Sequence, residues 1–216
     1  MFEQASLPTS NWSRRRFLAS GLGFAAGLLV PGCGAAASDP LASGVVVRPS
    51  RKWLDMIGRH GDQCDSAHPG ETQWRKLLHL LRELPAPQRM AAVNRLVNAR
   101  PYREDGENYG VSDHWATPRE FLLRGGDCED FAATKYLALL ESGVHESGLR
   151  FVVLKPRAKS QMHAVVAVLC SGSWYVLDNL RANPIPVQQN KNFTPVYSIS
   201  GDSRWIHRAA LRSSRL

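Results

Sequence analysis

The 216-residue sequence contains no CxxC or HxxH pair, which argues against the common zinc and dithiol redox sites. It has no glycine-rich loop of the kind that cradles phosphate, so nucleotide chemistry lacks its usual signature. Internal repeats are absent, which excludes solenoids and propellers. The longest apolar run, residues 18–30, is too short to cross a bilayer as a helix of about 20 residues. Dense lysine and arginine runs and aromatic-basic stripes are missing as well. The formal charge of +8 therefore suits acidic partners or anionic surfaces without indicating a nucleic-acid binder. What is present is ordinary for a globular chain: 44% hydrophobic and 21% charged residues, a balance that fits neither disorder nor a multi-span membrane protein.

At the N-terminus, Ser13, Arg14, Arg15, Phe17 and Leu18 match the twin-arginine export pattern, and residues 18–30 have the length of a signal h-region. Residues 1–37 are read as an export signal that directs the protein to the periplasm. A membrane anchor or a buried helix is the competing reading. Two processing outcomes are open. Ala35, Ala36 and Ala37 form a small-residue cleavage site, whereas Leu29, Val30, Pro31, Gly32 and Cys33 resemble a lipobox that would anchor the chain through Cys33, with Pro31 a poor fit. Removing residues 1–37 takes away three arginines and one glutamate and leaves +6. Cys64, Cys128 and Cys170 then remain in an oxidising compartment. Three is odd, so one thiol is free; a Cys64–Cys170 disulfide and burial of both as small apolar residues are equally open.

Residues 38–70 mix proline, glycine, serine and scattered charge, and are read as an extended arm or linker leading into a domain over residues 71–216. From Glu71, residues Trp74, Leu77, Leu78, Leu81 and Leu84 form one apolar helical stripe closed by Pro85. Met90, Val93, Leu96 and Val97 repeat that spacing over about residues 87–99. Residues 101–116 read as loop. Thr117, Pro118 and Glu120 give a capping box for a short helix ending at Gly125. Asp127 can cap the next helix, which runs to about Ser142 and places Cys128 in its first turn. Strands follow over residues 149–155, 163–169 and 173–180, with a Ser171–Gly172 turn between the last two, and a fourth near residues 195–199 is flanked by proline as an edge strand would be. Helices first and an antiparallel sheet after them argue for an α+β fold.

A cysteine at a helix N-terminus feels the positive end of the macrodipole, which favours the thiolate. Acyl transfer also needs a base that becomes the acid for the leaving group, and a group that fixes the tautomer of this base. His163 and Asp178 are the candidates. With a two-residue loop at Ser171–Gly172, Val165 opposes Asp178, and His163 lies two residues along on the same face, within diagonal reach. A three-residue loop would turn Asp178 to the other face and break the pair. Taken singly, a core cysteine, a solvated histidine and a turn aspartate are the commoner explanations; their conjunction on one hairpin and one helix start favours a catalytic site.

The run "VSDHWATPREFLLRGGDCEDFAATKYLALLESGV", followed by "QMHAVVAVL" and "WYVLDNL", resembles the bacterial transglutaminase-like cysteine peptidases, the family that includes the LapG-type periplasmic proteases. Similarity extends from about residue 74 to residue 197 and takes in "VNRLVN". Phe131 and His114 depart from the tyrosine common in the family. The resemblance implies a papain/transglutaminase-like core with Cys128 as nucleophile, His163 as general base and Asp178 as its orienting carboxylate. It further implies a Ca2+ site built from Asp127 and Glu129, with Asp130 as an addition. Physics agrees, since uncompensated carboxylates raise a neighbouring thiol's pKa and a divalent cation reverses that field; helix capping by the same acids is the alternative. By resemblance the substrate is a protein, a large surface adhesin whose release disperses biofilm, and an inner-membrane cyclic-di-GMP receptor is the inhibitor. Nucleic acid has no part in it. A transglutaminase proper and a non-catalytic calcium-dependent binding module are the competing functions.

Overall fold

A computed structural model describes residues 39–41, 43–63, 67–155, 161–191 and 194–207. The export signal read over residues 1–37, Cys33 and Cys64 lie outside them. Among the described residues, no helix is long and apolar enough to cross a membrane.

The strands form one antiparallel sheet of seven, in the order β1(Val45–Val47), β7(Ser203–Ile206), β6(Pro195–Ser200), β2(Leu149–Leu154), β3(His163–Cys170), β4(Ser173–Leu177) and β5(Ile185–Pro186). Six helices precede most of it: α1(Arg51–Asp62), α2(Glu71–Arg82), α3(Ala86–Asn98), α4(Asp105–Tyr109), α5(Pro118–Arg124) and α6(Cys128–Glu141). The result is the α+β arrangement that the order of periodicities implies.

Strand alternation divides the core. Phe151, Val153, Ala164, Val166, Val168 and Ile199 point into the cluster shared with α1, α2, α3, α5 and α6. Val152, Leu154, Val165, Ala167, Trp174 and Val176 point the other way, where Leu41 and Val187 cover them. Arg150 lies over the rings of Trp174 and Trp205 on this side and pairs with Asp39 at 2.7 Å. Helix α6 is buried nearly all round, from Asp130 to Leu139, and so forms the central post of the fold.

Several expectations need correction. Within residues 38–70, read as an extended arm or linker, lie β1 and α1. Strand β1 pairs with β7, Val45 opposite Ile206, and α1 buries Trp53, Met56 and His60. The periodicity escapes notice because only two of these three contacts are apolar and glycines and charged residues dilute them. Strand β6 is interior, flanked by β7 and β2, although Pro195 opens it; a proline at the first position of a strand gives up no ladder bond further along. The segment over residues 101–116 contains α4. Cys170 is a free, buried thiol in the main core, so its end of the considered disulfide is unpaired.

A polar network ties the helices together where apolar contact alone would allow sliding. His60 Nε2 and Trp74 Nε1 meet the two oxygens of Glu141 at 2.7 and 3.2 Å. Buried Arg119 reaches both Glu71 and His60. Each of these groups is taken from water, and each finds a partner.

Candidate active site

Thr117 and Glu120 form the anticipated capping box, with the Thr117 side chain accepting from Glu120 N–H at 3.3 Å and Glu120 accepting from Thr117 N–H at 2.8 Å. Helix α5 then stops at Gly125, whose φ of 78° lies in the region that favours glycine. Gly126 has no room for a side chain: a Cβ there would meet Asp130 Oδ2 at 2.1 Å. This close approach lets Asp130, fully buried, accept from Asp127 N–H at 3.3 Å and from Ala116 N–H at 2.7 Å. Cys128 is thereby fixed as the first residue of α6.

The hairpin has the two-residue loop. Cys170 pairs with Ser173 and Val166 with Leu177, while Ser171 and Gly172 have φ of 48° and 76°, as a type I′ turn requires. Asp178 follows just beyond β4, and its Oδ1 lies 2.8 Å from His163 Nε2. Since the carboxylate can only accept, Nε2 carries the proton and Nδ1 is left as the basic nitrogen. Leu180 N–H donates to the same Oδ1 at 2.9 Å. Burial pushes the Asp178 carboxyl up, but the His163 and Leu180 hydrogen bonds and the charge of Lys135 outweigh it and hold the group below its ordinary value. The backbone N–H of Ala164, the residue next to His163, acts on the Cys128 thiol and favours its charged form. The structure thus brings the helix start and the His–Asp pair of the hairpin to one place.

Around the thiol the field is hostile to negative charge. Burial first, then the Glu129 carboxylate and Asp127 raise the Cys128 pKa well above that of a free thiol, against the Ala164 N–H that lowers it. Cys128 Sγ donates to Glu129 Oε2 at 3.2 Å. The helix N-terminus alone would favour the thiolate; here burial and the neighbouring acids prevail. Asp127 is itself pushed up to about 9 by burial, its contact with Glu129 and the charges of Glu129, Asp130 and Asp105.

These acids continue beyond the three that the sequence singles out. Asp105 and Asp113 reach Glu129, and Asp105 also reaches Asp127 and Asp130, with one ligand-capable oxygen from each member of a group within 4.8 Å of the others. Asp105 Oδ1 and Asp127 Oδ1 are buried without a hydrogen-bond partner. Converging orphan carboxylate oxygens are the donor set of a hard divalent cation, and the residues present fit Ca2+. Asp127 and Glu129 are well placed for it, whereas both oxygens of Asp130 already accept backbone N–H groups. Asp105 and Asp113 are absent from the sequence reading. Their signal is the density of acids in "REDGENYGVSD", visible only as loop composition until the fold sets it beside Glu129. A cavity of about 260 Å³ joins these acids to Cys128, Tyr102, Gln161 and Met162.

Lys135, seven residues beyond Cys128 on α6, is also missing from that reading. It is 1% exposed, and burial pulls its ammonium pKa down to about 7, with Asp178 opposing.

Three comparisons extend these findings. The sequence model of a family described as bacterial transglutaminase-like cysteine proteinase matches residues 43–209. No curated protein matches significantly. Among solved structures, calcium-bound LapG of Legionella pneumophila is 27% identical, with a TM-score of 0.57 over 72% of this chain and 87% of its own. A second LapG structure from that organism is 24% identical, with the same TM-score over 78% and 94%. EGTA-treated LapG, also 24% identical, has a TM-score of 0.56 over 75% and 88%.

Proposed function

The chain belongs to the bacterial transglutaminase-like cysteine proteinases and is a cysteine peptidase, and from that premise we propose that it is a calcium-dependent endopeptidase with Cys128, His163 and Asp178 as its catalytic triad. One observation supports this above the others: the His163 imidazole is hydrogen-bonded to Asp178 beside Ala164, whose backbone N–H acts on the Cys128 thiol.

His163 Nδ1 takes the thiol proton and the sulfur attacks the peptide carbonyl, forming a C–S bond. The Cys128 backbone N–H, one of the orphan donors at the start of α6, faces the developing oxyanion. Collapse breaks the C–N bond, and the imidazolium returns its proton to the departing amine. Water, deprotonated by the same nitrogen, then cleaves the thioester and frees Cys128. Asp178 holds Nε2–H throughout and stabilises the imidazolium.

Asp127, Glu129, Asp105 and Asp113 would hold Ca2+, whose positive charge offsets the carboxylate field that otherwise opposes the thiolate. Calcium-bound and EGTA-treated forms of LapG support calcium as the ion. The substrate class is a protein, a large surface adhesin whose cleavage affects biofilm, and a cyclic-di-GMP receptor of the inner membrane is the restraining partner. The twin-arginine pattern at Arg14 and Arg15 supports export to the periplasm.

Calorimetry with calcium, and cleavage of adhesin fragments with and without chelator, test this reading. Wild type binds one ion and cuts; Cys128→Ala binds and does not cut; Glu129→Gln binds at least about tenfold more weakly. Cleavage indifferent to chelator would remove calcium from the mechanism. Amine incorporation without cleavage, seen by mass spectrometry, would replace hydrolysis by transfer.

A further inference from the structure

The turn that carries Asp178 is exposed. Leu180 is 66% accessible, residues 181–183 face solvent, and a cleft of about 320 Å³ separates Arg95, Asn98 and Ala99 of the α3 end from Ala182 and Asn183. Close packing does not hold this turn in place. Four hydrogen bonds from α3 do: Asn94 Nδ2 donates to the carbonyls of Arg181 and Ala182, both at 3.0 Å, and Asn98 Nδ2 donates to those of Asp178 and Arg181, both at 2.9 Å. The two asparagines are four residues apart and so share one helix face. Their orientation is settled by chemistry. Every partner is a carbonyl, so only the amide nitrogens can face the turn, and both Oδ1 atoms are left buried without a partner. A buried idle acceptor is costly, and it is tolerated here at both positions.

We infer that Asn94 and Asn98 are positioning residues for the reaction, clamping the residue 178–182 turn so that the Asp178 carboxylate stays on the line from which it holds the His163 ring. Asn98 acts directly, on the Asp178 carbonyl itself; Asn94 acts at one remove, on Arg181 and Ala182. Among the groups that hold the Asp178 carboxyl down are His163 from β3 and Lys135 from α6, while Asn94 and Asn98, being uncharged, contribute position alone. The "VNRLVN" segment of the sequence thereby acquires a role. This inference rests on the triad reading, and the experiment separates the two.

The rate of Cys128 alkylation by iodoacetamide, measured from pH 5 to 9 on calcium-loaded protein, reports imidazole-assisted thiol reactivity without needing a substrate. His163→Ala removes the assisted limb of the profile if the triad reading holds. Asn98→Ala is expected to lower that limb by about tenfold or more, since a shift of about 1 Å in a catalytic group is enough, and Asn94→Ala by less. Stability should follow the opposite order, because Asn94 is fully buried and Asn98 is not. Reactivity that ranks with the melting temperature across both variants would reduce the clamp to a structural contact and overturn the inference. So would a wild-type profile in Asn98→Ala beside a collapsed one in His163→Ala. An unchanged profile in His163→Ala overturns the triad reading and the clamp with it. If Asn98→Ala does not fold, Asn98→Ser, which keeps a shorter donor, carries the same expectations.

Discussion

Lys135 sits beneath the proposed catalytic constellation, almost wholly removed from water, two helical turns from the thiol. Burial pulls its pKa from 10.5 down to about 7. The unfolded chain therefore keeps the proton up to about 10.5, while the folded chain releases it near 7. Between these values the unfolded state binds more protons, so stability rises with pH across that window and is lowest below it. Lys135→Met should abolish this slope and, by removing a buried charge, stabilise the protein below pH 7 by about 1–3 kcal/mol. Urea midpoints measured from pH 6 to 10 read it out; a slope unchanged in the variant would assign it to another group. The residue was hidden in the sequence because a lysine in a helix ordinarily reaches water. Only the all-round burial of α6 shows otherwise. Cys128, His163 and Asp178 were legible for the opposite reason, since their positions at a helix start, a strand start and a strand end follow from local patterns.

At the level of elements, the β3–β4 hairpin decides whether His163 and Asp178 meet. Its turn is built from Ser171 at φ 48° and Gly172 at φ 76°, and serine is a strained choice in the left-handed region. Ser171→Asn should stabilise the fold by about 0.5 kcal/mol, because asparagine tolerates that conformation and Asn-Gly is favoured in type I′ turns. Thermal melts check the stability, and unchanged thiol alkylation checks that the register is preserved. The pairing of this hairpin was readable because two turn residues between alternating runs admit few registers. By contrast β1, β5 and β7 are 3, 2 and 4 residues long, too short to carry a period of their own. They exist as strands because longer neighbours template them. Helix α4, with five residues, fails to show for the same reason, and with it went the placement of Asp105 and Asp113.

For the molecule as a whole, the back of the sheet depends on a few residues that precede β1. Leu41 is fully buried among Val152, Val165, Trp174 and Val187, Asp39 accepts from Leu41 N–H and pairs with Arg150, and His207 donates to the Ser43 carbonyl at 2.8 Å. Leu41→Ala should cost about 2–4 kcal/mol, measurable as a lowered urea midpoint, with calcium binding on the helical side unaffected. Calcium should in turn raise the melting temperature, by an amount equivalent to about 2.7 kcal/mol at a hundred times its dissociation constant. Chelator reverses the gain, and a melting temperature independent of calcium would speak against the carboxylate cluster as its site. The burial of Leu41 was not foreseeable from residues 38–70 as a string. An isolated leucine in a glycine- and serine-rich stretch carries no period, and only a sheet with two apolar faces makes its burial necessary.

Val45 opposite Ile206 joins the first of the described strands to the last. During synthesis this seam cannot close until every strand between its two members has left the ribosome, so this edge of the sheet is the last to be completed. A stalled or clipped product lacking the last strand would leave β1 unpaired and β6 as a bare edge, open to strand exchange with another copy.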